Sequence, residues 1–341
     1  MNLILSVVVF ILSVVLTKLF CVFAQDTRLM DKPNERSMHS KPTIRGGGLV
    51  FIGLSLVSLP VLCLLTQTSF IEQAVFSLSI LMIAAVSFLD DLYNLSVKPR
   101  FLVQCLAALL VAVFIRPQQL DFIIFSISYP VLIIPFIFIV TLWAINHFNF
   151  MDGLDGFCAS QAAFLFAAYA LLFGMYGASF YQSFSLVLVF SLLGFLMFNL
   201  PPAKLFMGDI GSATLGFITF SLALIAQQKF QIPIVYWFML NGLFLFDATF
   251  TLIRRMLRKE KWSAPHRKHA YQRLRQLGIT VPVILLGQIA INGIFLLLIF
   301  ILQRVNMFGS NMVILLQIGL IALIYCWIEN KFPMFHNNIT Y

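Results

Sequence analysis

Four polar residues recur at a strict spacing of three in Asn146-His-Phe-Asn149-Phe-Met-Asp152-Gly-Leu-Asp155-Gly. Neighbours three apart on a helical turn share a face, so two carboxamides and two carboxylates project side by side. Gly153 and Gly156 then break the turn and let bare backbone approach a ligand. Such a face suits a nucleotide base, a sugar or a metal-bound diphosphate. A polar turn capping the next helix would account for Asp155, but hardly for all four residues. Two more acids stand together as Asp90-Asp91 at the end of an apolar run, where a helix C-terminus already carries partial negative charge. Two carboxylates there need a cation. Either Lys98 and Arg100 neutralise them as a surface cluster, or Mg²⁺ bridges them to substrate phosphates, since Mg²⁺ takes one or two protein carboxylates and completes its shell with water and phosphate oxygens.

Three further loops carry groups for anions. Phe206-Met-Gly208-Asp209-Ile-Gly211-Ser212 sets one carboxylate between glycines at the start of an apolar run; Asp209 reads as another metal ligand, with Ser212 and free amides turned to an anion at a helix N-terminus. Asp31-Lys-Pro33-Asn34-Glu-Arg36-Ser-Met-His39, followed by Arg45-Gly46-Gly47-Gly48, combines cations with three glycines at a helix entrance, which suits phosphate or lipid headgroups. His266-Arg267-Lys268-His269-Ala-Tyr271-Gln-Arg273 holds two histidines but no third His or Cys for a zinc site, so His266 and His269 read as hydrogen-bond donors to a diphosphate, helped by Arg267. Asp247 reads as the ion-pair partner of Arg254 and Arg255, the alternative being support of a sugar site.

The elements that position these groups are membrane helices. The chain has 341 residues, 61% hydrophobic and only 10% charged, against roughly 45–50% apolar and about 25% charged in soluble domains. Uncharged runs long enough to cross a bilayer, about 20 residues each, fall near 1–24, 46–66, 73–92, 101–115, 129–147, 157–175, 182–200, 212–228, 233–253, 280–303 and 310–329. The expectation is an all-α, polytopic bundle of about eleven spans forming a single domain over 1–341. Threaded that way with the N-terminus outside and the C-terminus inside, eighteen of the 22 Lys and Arg residues fall on the inner side, three outside, and Lys18 within the first span, as cytoplasmic loops require. Eleven of the thirteen acids fall on the same inner side. The net charge of +9 is therefore a topology signal rather than a nucleic-acid signal. The 116–128 outer loop has a β-like stretch that suits a small hairpin. Five cysteines without a CxxC pair read as packing residues.

In this order the motifs Asp31-x-Pro33-Asn34-x-Arg36-x-x-His39 with Arg45-Gly-Gly-Gly48, Asp90-Asp91, Asn146-x-x-Asn149-x-x-Asp152-Gly-x-Asp155-Gly, Met207-Gly208-Asp209-x-Gly211-Ser212 and the basic His-containing loop resemble the polyprenyl-phosphate N-acetylhexosamine-1-phosphate transferases, from about residue 26 to 275. Any one motif alone is weak; five in order on one side are specific. The resemblance implies a bacterial inner-membrane enzyme dependent on Mg²⁺, with Mn²⁺ as a substitute. It would move a sugar 1-phosphate from a UDP-N-acetylhexosamine onto undecaprenyl phosphate and release UMP, and it leaves room for a homodimer. It also matches Asp90 and Asp91 to the acidic pair near the lipid phosphate, Asp209 to the metal ligand, and Asn149, Asp152 and Asp155 to the nucleotide-sugar site. The mechanistic expectation joins Asp91 or Asp90 to Asp209 on the metal, and adds Asn34, Arg45, Asn146, His266, Arg267 and His269 to the substrate site.

The branch of that family acting on a UDP-linked muramoyl-pentapeptide carries three consecutive histidines where this chain has His266-Arg-Lys-His269. The pattern here looks like the branch that primes O-antigen and related surface polysaccharides. A lipid or ion transporter is the rival class. Its intramembrane acids would sit near the midplane in repeated halves, whereas these gather at one face with no internal repeat.

Overall fold

The computed structural model describes residues 3–25, 27–31, 42–261, 266–305 and 307–335; Asn34, with the rest of the 32–41 segment, lies outside them. Long uncharged runs fold as helices because lipid offers no partner for a backbone N–H or C=O, so each group must be satisfied within its own segment. The chain accordingly forms α1 (Leu3–Phe23), α2 (Gly48–Thr66), α3 (Phe70–Tyr93), α4 (Val97–Phe114), α5 (Pro130–Met151), α6 (Phe157–Met175), α7 (Ser179–Asn199), α8 (Gly208–Phe230), α12 (Val281–Leu302) and α13 (Met307–Lys331). All ten are long and apolar enough to cross a membrane.

The span expected at 233–253, the ninth of the eleven, is not one helix. It divides at Asn241 into α9 (Val235–Leu240) and α10 (Gly242–Leu257). Carbonyls loosened by the break are taken by side chains of neighbouring helices: Gln317 Nε2 donates to Met239 O at 2.7 Å and Gln161 Nε2 to Leu240 O at 3.2 Å. The Asn241 amide itself meets His147 Nε2 at 2.7 Å. Buried polar side chains on α6, α5 and α13 thus stabilise a discontinuity that hydropathy alone reads as continuous.

Helix α8 is the axis of the bundle. It is almost wholly buried, with α3 and α5 along its flanks and α2 and α6 beside them. On α1, α2 and α13, residues such as Ile4, Leu64, Leu65 and Leu323 stay exposed, a surface suited to acyl chains rather than water. Short antiparallel pairs join the helices. β1 (Met30–Asp31) pairs with β2 (Thr43–Ile44), and β3 (Leu120–Asp121) with β4 (Ser126–Ile127), which is the hairpin expected in the 116–128 loop. The five cysteines are free. The protein is a multi-pass membrane protein of all-α architecture.

Candidate active site

The end of α3, the start of α8 and the end of α5 meet at one mouth of the bundle. Asp91, buried near the end of α3, accepts the N–H of Asp209 on Oδ1 and of Ile210 on Oδ2, each at 3.0 Å. A carboxylate from one helix therefore caps the first turn of another, where charge and amide dipoles attract. The last turn of α3 is closed from the other side: Arg45 Nη2 donates to Asp91 O at 2.6 Å and to Asn94 Oδ1 at 2.8 Å. A cation at a helix C-terminus has the favourable sign. Arg45 is thus a clamp on the aspartate pair, and the α8 amides expected to face a ligand anion are held by Asp91.

Asp90 points elsewhere. Its Oδ2 pairs with Arg100 Nη1, and the same nitrogen lies 3.1 Å from Asp209 Oδ2. The Asn149 carboxamide of α5 stands beside the Asp209 carboxylate. Two carboxylates therefore converge on one cationic nitrogen, with a carboxamide beside one of them. Of the two neutralising cations the sequence suggests, Arg100 takes that place. Asp152 follows immediately after α5 with Asp209, Asp91 and Asp155 as charged neighbours; desolvation, and then their repulsion, push its carboxyl up to about 8. Carboxylates outnumber guanidinium groups at this mouth, an imbalance that favours binding a further cation.

The glycine triplet does a different job from phosphate binding. Gly47 N–H donates to Phe206 O at 2.9 Å and Gly48 N–H to Met207 O at 2.8 Å, while Phe206 N–H returns to Ile44 O at 2.8 Å. A Cβ on Gly48 would lie 2.4 Å from Gly211 N and Cα, closer than any packed side chain. The amides and the missing side chain dock the first loop against the Asp209 loop. Ser212 Oγ likewise turns inward, donating to Gly208 O at 3.2 Å.

The four-residue spacing is only partly a single face. Asn149 and Asp152 belong to the acid cluster. Asn146 Nδ2 is instead spent on Gln104 Oε1 at 3.1 Å and Leu142 O at 2.7 Å, joining α5 to α4. Asp155 Oδ2 accepts Ala203 N–H at 2.9 Å, and Gly156 N–H donates to Asn199 Oδ1 at 3.1 Å, so the end of the turn is tied to the 199–205 segment.

The basic loop is anchored over this turn by a residue that spacing could not interpret. Asp247 does not pair with Arg254 or Arg255. It caps α11 (Ala270–Gln276), accepting Ala270 N–H at 2.8 Å and Tyr271 N–H at 3.3 Å, with His269 Nδ1 at 3.5 Å. Arg254 instead makes a bidentate pair with Glu329, both distances 2.8 Å, and Arg255 pairs with Glu260 at 3.0 Å. These carboxylates lie 75 and five residues away, and Asp247 is taken by the α11 amides. Tyr271 runs from α11 to Phe150 O at 3.2 Å and stacks on Phe157. Its hydroxyl fills the space where a Cβ on Gly153 would stand, 2.3 Å away, so this glycine admits Tyr271 rather than a ligand. His269 is buried, His266 half-buried and Arg267 exposed. Burial and then the neighbouring His269, Arg255 and Lys268 hold His266 down to about 3.

Among the described residues, no three His, Cys, Asp or Glu side chains form a self-sufficient metal cage. The donor set still fits Mg²⁺: Asp90 and Asp209 reach one cation position, and an ion that keeps water and takes phosphate oxygens needs no more protein ligands. Asp91, with each oxygen on a backbone amide, serves the position indirectly.

Fold and site together define a polytopic membrane protein with an acidic centre around Arg100 at one mouth of its bundle. The model of glycosyl transferase family 4 matches residues 73–227, which contain Asp90, Asp91, Asn149, Asp152 and Asp209. A probable undecaprenyl-phosphate N-acetylglucosaminyl 1-phosphate transferase of Bacillus subtilis is 31% identical over 333 residues, covering 90% of this chain and 87% of the relative. An undecaprenyl-phosphate alpha-N-acetylglucosaminyl 1-phosphate transferase of Thermotoga maritima is 28% identical, covering 76% and 78%. A phospho-N-acetylmuramoyl-pentapeptide-transferase of Anoxybacillus flavithermus is 28% identical, covering 72% and 80%. The chain belongs to glycosyl transferase family 4.

Proposed function

We propose that this protein transfers an N-acetylhexosamine 1-phosphate from a UDP-sugar to undecaprenyl phosphate, releasing UMP, on the cytoplasmic face of a bacterial inner membrane. The observation that carries the reading is the convergence of Asp90 and Asp209 on one cation position, with Asn149 beside Asp209 and Asp152 close by. Two phosphorylated substrates repel each other until positive charge intervenes, and this mouth is built to hold such charge. The names of the relatives support the same donor and acceptor classes, and the excess of Lys and Arg in the loops on this side supports the orientation.

Asp90 and Asp209 would hold Mg²⁺, which supplies charge neutralisation to the diphosphate and the leaving UMP. Arg100, already between these carboxylates, has further N–H groups for a phosphate oxygen. Asp91 holds the α8 mouth in register, and its engaged oxygens make it a poor base. None is needed: a phosphate monoester with a second pKa near 6 is mostly dianionic at pH 7, so the lipid phosphate can attack the β-phosphorus directly. Asn149 and Asp152 would border the sugar-nucleotide side, and the half-buried His266 and exposed Arg267 would meet the diphosphate from the loop that Asp247 and Tyr271 anchor. The product would start a surface polysaccharide such as O-antigen.

The test is UMP release by purified protein given undecaprenyl phosphate and a panel of UDP-N-acetylhexosamines together with UDP-N-acetylmuramoyl-pentapeptide. Release with a hexosamine donor supports the reading. Release with the pentapeptide donor alone moves the protein to the peptidoglycan reaction, and lipid movement without UMP release makes it a transporter.

A further inference from the structure

At the end of α8 remote from Asp209, the bundle holds a second polar feature. A cavity of about 790 Å³ opens there, lined by Arg116, Gln118, Gln119, Ser128, Gln228 and Gln231, with Gln227 at its base. Eighteen residues of helix separate Asp209 from Gln227, about 27 Å at 1.5 Å per residue, so this cavity shares nothing with the acid cluster. No carboxylate lines it. The nearby cation Lys229 is neutralised by Glu72 at 3.0 Å. Arg116 has no such partner: among the described residues no carboxylate lies within ion-pairing distance of its guanidinium. Only its backbone carbonyl is engaged, accepting from Gln228 Nε2 at 3.2 Å. Gln227 Oε1 is committed to the N–H groups of Asp121 and Ile234 at 3.1 and 2.8 Å, which fixes the hairpin and the α8–α9 turn as walls. Gln118, Gln119, Ser128 and Gln231 stay exposed.

One unpaired guanidinium among neutral donors and acceptors fits a phosphate ester that also carries hydroxyl groups. The rim shows which kind. Phe114, Tyr129 and Val131, each within two residues of a lining residue, are 62%, 72% and 76% exposed. A polar pocket next to bare apolar side chains at the end of a membrane helix matches an amphiphile, headgroup in the cavity and chains along α4 and α5. We propose that this cavity binds the phosphate headgroup of a hydroxyl-bearing anionic membrane lipid, on the face opposite the acid cluster.

The test uses the full-length protein in uncharged detergent, with thermal melting followed as phosphatidylglycerol is titrated against glycerol 1-phosphate. A ligand bound by the folded state alone raises the melting temperature in a saturable way. Phosphatidylglycerol should do so with wild type. Arg116→Gln should move the midpoint about tenfold higher, the loss expected for one hydrogen bond to a charged group. Gln119→Leu, which keeps the guanidinium but makes an exposed lining position apolar, should weaken it in the same direction, with UMP release unchanged in both variants. Equal midpoints for wild type and both variants would overturn the site. Glycerol 1-phosphate binding as tightly as phosphatidylglycerol would overturn the lipid assignment in favour of a soluble phosphate ester.

Discussion

The carboxylate of Asp91 is the cap of Asp209's helix: the two residues lie 118 positions apart, yet Asp91 Oδ1 accepts the Asp209 N–H at 3.0 Å. The adjacent aspartates of one motif are thereby split, Asp91 to backbone and Asp90 to the cation position shared with Asp209. Substitutions should separate the two roles. Asp91→Ala leaves two α8 amides uncapped and should cost about 1–2 kcal/mol of stability, lowering the melting temperature and activity together. Asp90→Asn should abolish turnover with melting nearly unchanged. Equal melting temperatures for the two variants, measured in the same detergent, would contradict the split.

Arg100 sits where a divalent ion would meet Asp90 and Asp209. Removing its charge with Arg100→Gln should tighten Mn²⁺ binding by the substrate-free protein, because one competing cation is gone, and raise KM for the nucleotide sugar. Both are separable by metal titration and steady-state kinetics. Weaker Mn²⁺ binding would place the guanidinium outside the metal position.

The helical spans, the hairpin and the gathering of acids at one mouth were legible in the sequence because each follows from local composition: uncharged runs, a β-like stretch between turns, and spaced carboxylates. Partners were not. Asp247 looked like a mate for Arg254 seven residues on, but α11 presents two N–H groups to it, and Glu329 reaches Arg254 from another helix. The Asn241 break is hidden by apolar residues on both sides, since its support comes from Gln161, His147 and Gln317 on three other helices. Asn149 and Asp152 both stand near Asp209, but the spacing of three could not show that α4 would claim Asn146 through Gln104.

Close docking of the first loop on the Asp209 loop predicts an asymmetry between two glycines of α2. Gly48→Ala puts a Cβ 2.4 Å from Gly211 backbone, whereas Gly53→Ala meets nothing within 4 Å. The first should cost about 1–3 kcal/mol, the range for forcing atoms into a packed site. The second should leave stability unchanged or slightly higher, because alanine is the better helix former. Thermal melting of both variants checks it.

His266 makes stability depend on pH with a definite sign. Its pKa falls from 6.5 to about 3 on folding, so between those values the unfolded chain binds a proton that the folded chain does not. Stability therefore decreases as pH falls through 6.5 toward 3, and is independent of this group above 6.5. Melting temperatures between pH 6.5 and 5 should fall more steeply in wild type than in His266→Gln; parallel slopes would remove His266 from the account.

The central claim is that phosphorus, and not only sugar, moves to the lipid. A donor UDP-N-acetylhexosamine labelled at the β-phosphate should transfer its label into the organic phase with undecaprenyl phosphate as UMP appears, and Asp209→Asn should stop both while inserting normally in the membrane. Label left in water as UDP while sugar enters the lipid would contradict the claim.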